Sequence, residues 1–222
     1  MKKETPAPAR PRGRPRSFDR DAALGAAMEV FWKKGYEATS IHDLTDAMGI
    51  NPPSLYAAFG DKERLYLAAL ERYQQWRREQ VGRTLDDEPT ARAAIERLLH
   101  DYVVELTKAC HPAGCMLASA SCSSASADAQ EAVAARRAEA KRRFKERFDR
   151  GVREGDVPAG TDTGGLADFF TTVITGIAMR AKDGASRKSL MATVEASMRA
   201  WPVEDKASSR RGAKAPRKET VA

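Results

Sequence analysis

The sequence lacks long apolar runs and a regular set of cysteines. Its 222 residues contain no uninterrupted stretch approaching the roughly 18 to 20 apolar residues that a membrane-spanning helix needs. The three cysteines are an odd number, and their spacing forms no disulfide framework of the kind found in small secreted domains. The basic N-terminus is followed by no apolar segment that could serve as a secretory signal. We therefore expect a cytoplasmic protein.

The sequence also lacks the common signatures of catalysis. No Ser-His-Asp arrangement, phosphate-binding loop or paired-carboxylate motif stands out. A structural zinc site is disfavoured because no two cysteines are separated by two residues. A helical enzyme is an alternative that turnover of any small molecule would revive, but we expect no catalytic residues and no resident cofactor.

Positive charge is concentrated at the two ends of the chain. The sequence has 38 Lys or Arg against 31 Asp or Glu, a net charge of +7. Residues 1–17 carry a net +5 and residues 204–222 a net +3, so the body between them is nearly neutral. Both tails are poor in large apolar residues, and we expect them to be disordered when free. A polyanion is the partner that such tails favour, although the C-terminal tail could equally serve solubility alone.

Between the tails, apolar residues recur with helical spacing. Leu24, Ala27 and Phe31 lie on one face of a first helix, which Gly35 ends. No segment alternates apolar and polar residues over the length of a strand, so the predicted fold is all-α. Helices are predicted over residues 19–34, 40–47, 52–59 and 62–80, then from 91 through Leu106 to an interruption at 111–114, and over 115–122, 128–154, 164–181 and 187–201.

Residues 39–59 have the pattern of a helix-turn-helix, whose second helix can enter the major groove of DNA. Gly49 permits the tight turn, and Asn51 followed by Pro52 is a strong helix start, because the side chain caps and the missing proline N–H costs nothing there. Groups suited to phosphate oxygens surround the motif: Thr39, Ser40, Ser54, Tyr56 and Lys62.

Each of these polar residues also has a structural interpretation, and helical bundles often contain such a corner without binding DNA. Thr39 or Ser40 could cap the second helix, and Tyr56 could pack in the core. The apolar residues that we assign to the core of the small N-terminal unit are Phe31, Leu44, Leu55 and Phe59.

The stretch from Ala22 to Tyr73 resembles the DNA-binding region of TetR-family transcriptional regulators. The matching residues are YEATSI at 36–41 and GINPPSLYAAFGDKERL at 49–65. The resemblance implies base contacts from the third helix and phosphate contacts from Thr39, Ser54, Tyr56 and Lys62. It also implies a DNA-binding domain at 18–80 and a ligand-binding and dimerisation domain at 81–203, between the basic arm 1–17 and the basic tail 204–222.

The predicted recognition helix offers few groups for direct base readout. Asn51, Pro53, Ser54 and Ala57 supply one amide, one hydroxyl and apolar surface, but no Arg, Lys or Gln for a two-pronged bond to a purine. We therefore expect contacts to thymine methyl groups and readout of DNA shape.

The N-terminal arm fits this need for shape readout. Pro11 to Arg16 resembles an AT-hook, in which Arg12, Arg14 and Arg16 would enter a narrow A·T minor groove. Short Arg-Pro runs are also common in disordered tails, so the arm alone does not decide this role.

A single short recognition helix makes few contacts, whereas a dimer doubles them at half-sites about 34 to 36 Å apart. The resemblance places the dimer interface on helices 164–181 and 187–201, although the same apolar stripes could form a monomer core. We predict a TetR-type homodimeric repressor released from a palindromic operator by an effector among helices 95–180. A non-specific architectural minor-groove binder is the alternative.

The cysteines leave the nature of the effector open. Cys115 and Cys122 would lie about 10.5 Å apart along one helix, too far for a disulfide. Cys110, His111 and Cys115 flank a loop and could converge on a soft metal such as Cu(I), or form a redox pair. Ordinary packing of small side chains is the alternative for these residues.

Overall fold

A computed structural model describes residues 18–81, 84–120 and 127–203. Within these ranges all regular structure is helical, which confirms the predicted all-α fold. None of the helices described there combines the length and the apolar character needed to cross a membrane. In chain order they are α1 (Arg20–Lys34), α2 (Ile41–Met48), α3 (Pro52–Phe59), α4 (Lys62–Val81), α5 (Thr84–Asp87), α6 (Ala91–Leu106), α7 (Met116–Ser119), α8 (Ala127–Glu154), α9 (Thr163–Lys182) and α10 (Arg187–Met198).

The helix boundaries follow the predicted ones closely, with three differences. The single turn α5 was not predicted, because four residues are too few to show a period, although Leu85 anchors it in the core. Helix α7 covers only Met116–Ser119, so it begins one residue later and ends three residues earlier than the predicted helix 115–122. Helix α10 ends at Met198, and Trp201 beyond it is buried against Phe148, with ring centroids 5.7 Å apart.

The first four helices pack around an aromatic and aliphatic core. Helix α1 lies against both α2 and α4, and α3 rests on α2 and the start of α4. The four residues predicted for this core are all buried, which confirms the assignment: Phe31, Leu44, Leu55 and Phe59.

The later helices form a larger body in which α9 packs against α8, α10 and α6. Phe148, Phe170 and Trp201 meet at its centre, with ring centroids about 6 Å apart. This aromatic cluster supplies much of the apolar area that the body buries.

A junction formed by Trp32, His111 and Gly114 joins the first helices to this body. The Trp32 indole Nε1 donates a hydrogen bond to the carbonyl oxygen of Gly114 at 3.1 Å, and its ring stacks on His111 at 4.7 Å. Gly114 has a φ of 80°, and a Cβ there would lie 2.8 Å from the Cβ of Lys182 in α9. Only glycine therefore fits where α1, α9 and the loop before α7 meet.

Gly151 in α8 allows Asp156 and Val157, just after α8, and Ala91, at the start of α6, to pack closely against the helix backbone. A Cβ on Gly151 would lie 2.3 Å from the Asp156 Oδ1 and 2.6 Å from the Val157 Cγ2. The other carboxylate oxygen of Asp156 accepts a hydrogen bond from the Ala91 N–H at 2.8 Å, and so holds the first turn of α6.

We expect Gly151→Ala to destabilise the protein by about 1 to 3 kcal/mol, because the added methyl group overpacks this contact. The matched control is Gly25→Ala in α1, where the nearest atom to a new Cβ is 3.6 Å away on the flexible side chain of Arg72. That change should be neutral or stabilising by up to about 1 kcal/mol. Urea unfolding of both variants measures the difference, and equal stabilities would contradict the prediction.

Candidate nucleic-acid interface

Helix α3 turns one face inward and the other to solvent. Leu55 and Phe59 are buried against α2 and α4, whereas Pro53, Tyr56 and Ala57 are exposed. Tyr56 is 48% exposed, so the alternative that it packs in the core is wrong. A large aromatic ring and small apolar groups therefore stand outward on one short helix.

The starts of α2 and α3 are fixed by side-chain caps. The Ser40 hydroxyl accepts a hydrogen bond from the Asp43 N–H at 3.0 Å, and the Asp43 carboxylate accepts one from the Ser40 N–H at 2.9 Å. This reciprocal pair is a capping box. The Asn51 Oδ1 accepts from the Ser54 N–H at 2.9 Å in the same way at the start of α3. Both caps lie at the exposed edge of the motif.

Lys62 lies at the first turn of α4, beside the recognition helix. Its Nζ is 4.3 Å above the ring of Tyr36, a cation–π contact that orients the ammonium group. The Asp61 side chain caps this helix by accepting a hydrogen bond from the Arg64 N–H at 2.8 Å. The Tyr36 ring is held by Tyr66 at 5.0 Å.

Thr39 lies beneath this surface and not on it. Its side chain is 1% exposed, and its hydroxyl donates to the Gly35 carbonyl oxygen at 2.6 Å, which closes the turn after α1. This hydrogen bond gives the Thr39 hydroxyl a structural role. The phosphate contact predicted for Thr39 stays a prediction, and Ser40 is the exposed hydroxyl at this edge.

Arg20 is a basic residue at this surface that the sequence analysis missed. Its guanidinium lies 4.6 Å from the centroid of the Phe59 ring, so α1 holds a positive charge beside the end of α3. An exposed arginine at the start of a helix carries no distinctive sequence signal. The predicted minor-groove residues Arg12, Arg14 and Arg16 lie outside the described residues.

The acidic group nearest the start of α2 is already neutralised. The Lys34 Nζ donates to the Asp43 carboxylate at 2.6 Å. This hydrogen bond, followed by those from the backbone and side chain of Ser40, holds the pKa of Asp43 well below its usual range. The carboxylate therefore adds little repulsion toward a phosphate backbone.

The convergence of Cys110, His111 and Cys115 on a soft metal stays a prediction. No group of three or more potential ligands occurs in the described ranges. Cys110 is exposed while Cys115 is buried, and the His111 Nε2 contacts the Glu105 carboxylate at 3.1 Å. The loop packs against Trp32, which draws His111 into the junction. Cys122 lies outside the described residues.

Comparison with known sequences agrees with this geometry. Residues 23–69 match the family described as bacterial regulatory proteins, tetR family. Over 199 residues the chain is 35% identical to the HTH-type transcriptional repressor ComR of Escherichia coli, a match that covers 86% of this chain and 92% of that repressor. The chain belongs to the TetR family. This assignment confirms the predicted regulator and the expectation that the protein is not an enzyme.

Further relatives extend the comparison. The repressor BdcR of Escherichia coli is 39% identical over 106 residues, which covers 47% of this chain and 53% of that protein. Among solved structures, a cysteine mutant of the regulator CifR bound to a 26-base-pair operator is 44% identical, with a TM-score of 0.81 over 86% of this chain and 100% of CifR. The Escherichia coli regulator NemR in its reduced form is 18% identical, with a TM-score of 0.71 over 83% of this chain and 98% of NemR, and shares the fold.

The capping box predicts a pH dependence of stability. The pKa of Asp43 is lower in the folded chain than in the unfolded one, so its stabilisation is complete above a pH of about 4 and is lost as the pH falls toward the lowered pKa. We expect Asp43→Asn to lower the melting temperature at pH 6 and to reduce its fall between pH 5 and pH 2.5. Asp46→Asn, at an exposed position of the same helix, is the charge-matched control. Parallel melting curves for wild type and Asp43→Asn across this window would contradict the prediction.

Proposed function

We propose that this protein is a homodimeric transcriptional repressor that binds a palindromic DNA operator and is released from it by an effector. The observation that carries the proposal is the outward face of α3, where Tyr56 and Ala57 are exposed while Leu55 and Phe59 anchor the helix. The two Escherichia coli relatives are both named repressors, and the 44% identical CifR binds operator DNA. Residues 18–80 act as the DNA-binding domain and residues 81–203 as the effector-binding and dimerisation domain.

The α3 face reads DNA mainly through shape and apolar contact. Pro53 and Ala57 present small apolar surfaces toward thymine methyl groups, and Asn51 and Ser54 lie at the start of the helix. Ser40, Tyr56 and Lys62 contact phosphates on either side of the groove. Arg12, Arg14 and Arg16, within the basic arm 1–17, bind the adjacent minor groove.

The outer face of α9 supplies the dimer interface. Phe169 is 39% exposed, although the neighbouring Phe170 is fully buried. Gly176 lies two turns further along the same face, and a Cβ there would meet no atom within 4 Å. An exposed aromatic ring on the same face as a glycine without a side chain favours close packing of a helix from a second subunit. Helix α10 packs beside α9.

Effector binding is transmitted through the junction of Trp32, His111 and Gly114. Cys115 follows Gly114 directly and lines a cavity in the larger body. A ligand that displaces this segment moves the carbonyl to which α1 is bonded, and α1 carries α2 and α3 with it. Release requires the ligand to bind the altered dimer more tightly, and a thousandfold preference corresponds to about 4 kcal/mol.

The DNA-binding surface is tested by Lys62→Met, which removes one phosphate contact and retains the aliphatic chain over Tyr36. Operator DNA is first located by protection mapping upstream of this protein's own gene and its neighbours. We expect the variant to bind operator DNA more weakly than the wild type. The slope of log K against the logarithm of the salt concentration should be shallower by about 1. Lys145→Met, at an exposed position of α8, should leave both quantities unchanged in fluorescence anisotropy. An unaltered salt slope for Lys62→Met, or no protected duplex at low salt, would count against the proposal.

The dimer interface is tested by Gly176→Arg. The monomer has open space at this position, so its fold should be retained while the charged side chain separates the subunits. We expect dimerisation to weaken at least tenfold in sedimentation velocity, with loss of operator binding at low protein concentration. Ala135→Arg, at an exposed position of α8, is the control and should remain dimeric. Wild-type sedimentation of Gly176→Arg would refute this interface.

A further inference from the structure

A cavity of about 240 Å³ lies within the larger body, between α4, α6, α7, α8 and α9. Its walls are largely apolar and include Leu98, Leu117, Phe144 and Ile174. This volume is just below the range of about 300 to 1,000 Å³ that is usual for small-molecule sites, so the cavity suits a compact ligand.

The polar groups at one end of the cavity are hydrogen-bond donors. Burial, the largest cause, raises the pKa of Tyr73 and of Tyr102 well above the ordinary value of 10, so both hydroxyls are protonated at neutral pH. The Cys115 side chain lies beside them. Arg77, one turn after Tyr73 on α4, adds a guanidinium that lies 4.5 Å from the centroid of the Tyr102 ring.

Two of these donors lack a strong acceptor within the described part of the chain. The Tyr73 hydroxyl and the Arg77 Nη1 are both shielded from solvent, and neither has an oxygen or nitrogen acceptor there; the Cys115 side chain, a weak acceptor, lies beside the Tyr73 hydroxyl. Unsatisfied buried donors are costly, and a buried cation without a counter-charge is more so. The arrangement therefore has the chemistry of a receptor for an anion.

The charges around the cavity have one sign. Five arginines line it and none of the lining residues described is Asp or Glu: Arg77, Arg78, Arg136, Arg137 and Arg143. Glu71 and Asp86 pair with two of these arginines from outside the lining, and Glu105, whose field reaches Arg77, is bonded to Lys108 and His111.

Residues 82–83 and 121–126, which lie outside the described ranges, contain no Asp or Glu in the sequence.

We propose that this cavity binds a small amphipathic carboxylate, with its apolar body against Leu98, Phe144 and Ile174. The carboxylate accepts hydrogen bonds from Arg77 and from the Tyr73 hydroxyl, and so satisfies both buried donors. The inference rests on the proposed effector-released repressor, for which it names the chemical class of the ligand.

The test compares three probes that share one apolar chain and differ in charge: octanoate, 1-octanol and octylammonium. Isothermal titration calorimetry on the full chain should show octanoate binding at least tenfold more tightly than 1-octanol, and octylammonium binding least. Arg77→Met should weaken octanoate binding at least tenfold and change 1-octanol binding less than twofold. Arg142→Met is the matched control, because Arg142 is an exposed α8 arginine that does not line the cavity.

The outcomes separate this inference from the proposed function. Octanoate binding no tighter than that of 1-octanol, no binding of any probe, or full octanoate affinity in Arg77→Met would overturn it. If Arg77→Met unfolds, Arg77→Lys replaces it, because it retains the charge and should keep most of the preference for octanoate. The binding of the three probes to the wild-type chain also tests the ligand class without any variant. If octanoate binds through Arg77 but does not release operator DNA, the cavity still binds a carboxylate. Release of the repressor by this ligand would then be refuted.

Discussion

The hydrogen bond from the Trp32 indole to the Gly114 carbonyl is the contact on which the rest of the arrangement depends. It joins α1, the helix that supports the DNA-binding motif, to the loop that enters the larger body. The bond is buried, so its loss would leave a polar N–H and a carbonyl without partners. Gly114 must remain glycine because α9 approaches its backbone too closely for a Cβ. The position of the motif relative to the body is therefore set by packing that allows few alternatives.

Much of the DNA-binding part could be predicted from the sequence because its determinants are local. Ser40 and Asn51 act on amides three residues away, and Gly49 adopts its left-handed conformation within the turn itself. Such caps and turns are encoded by neighbouring residues and need no knowledge of the tertiary fold. The outward face of α3 follows in the same way, since Leu55 and Phe59 are four residues apart and leave Tyr56 on the other side.

The features that could not be predicted arise between residues distant in sequence. Thr39 reads as an exposed hydroxyl, but the turn after α1 buries it. His111 reads as a metal ligand beside two cysteines, but it is drawn between Trp32 and Glu105, from helices far apart in the chain. The cavity is even harder to predict from the sequence. Its arginines come from α4 and α8, and the sequence around each one indicates only a solvated surface charge. Their function can be inferred only from their convergence on one cavity whose described lining contains no carboxylate.

Helix α4 is a second connection between the two proposed sites, beside the junction of Trp32, His111 and Gly114. Lys62 begins it, and Arg77 lies fifteen residues later, about 22 Å along one continuous helix. A helix of this length moves as a rigid unit, so a ligand that draws Arg77 and Tyr73 into the cavity also shifts or tilts the end that holds Lys62 over Tyr36. In the proposed dimer, an operator fits only when both recognition helices are correctly spaced, so a small rotation of α4 in each subunit would move both recognition helices and change their separation. The ligand then needs no contact with DNA, only a tighter fit to the tilted helix.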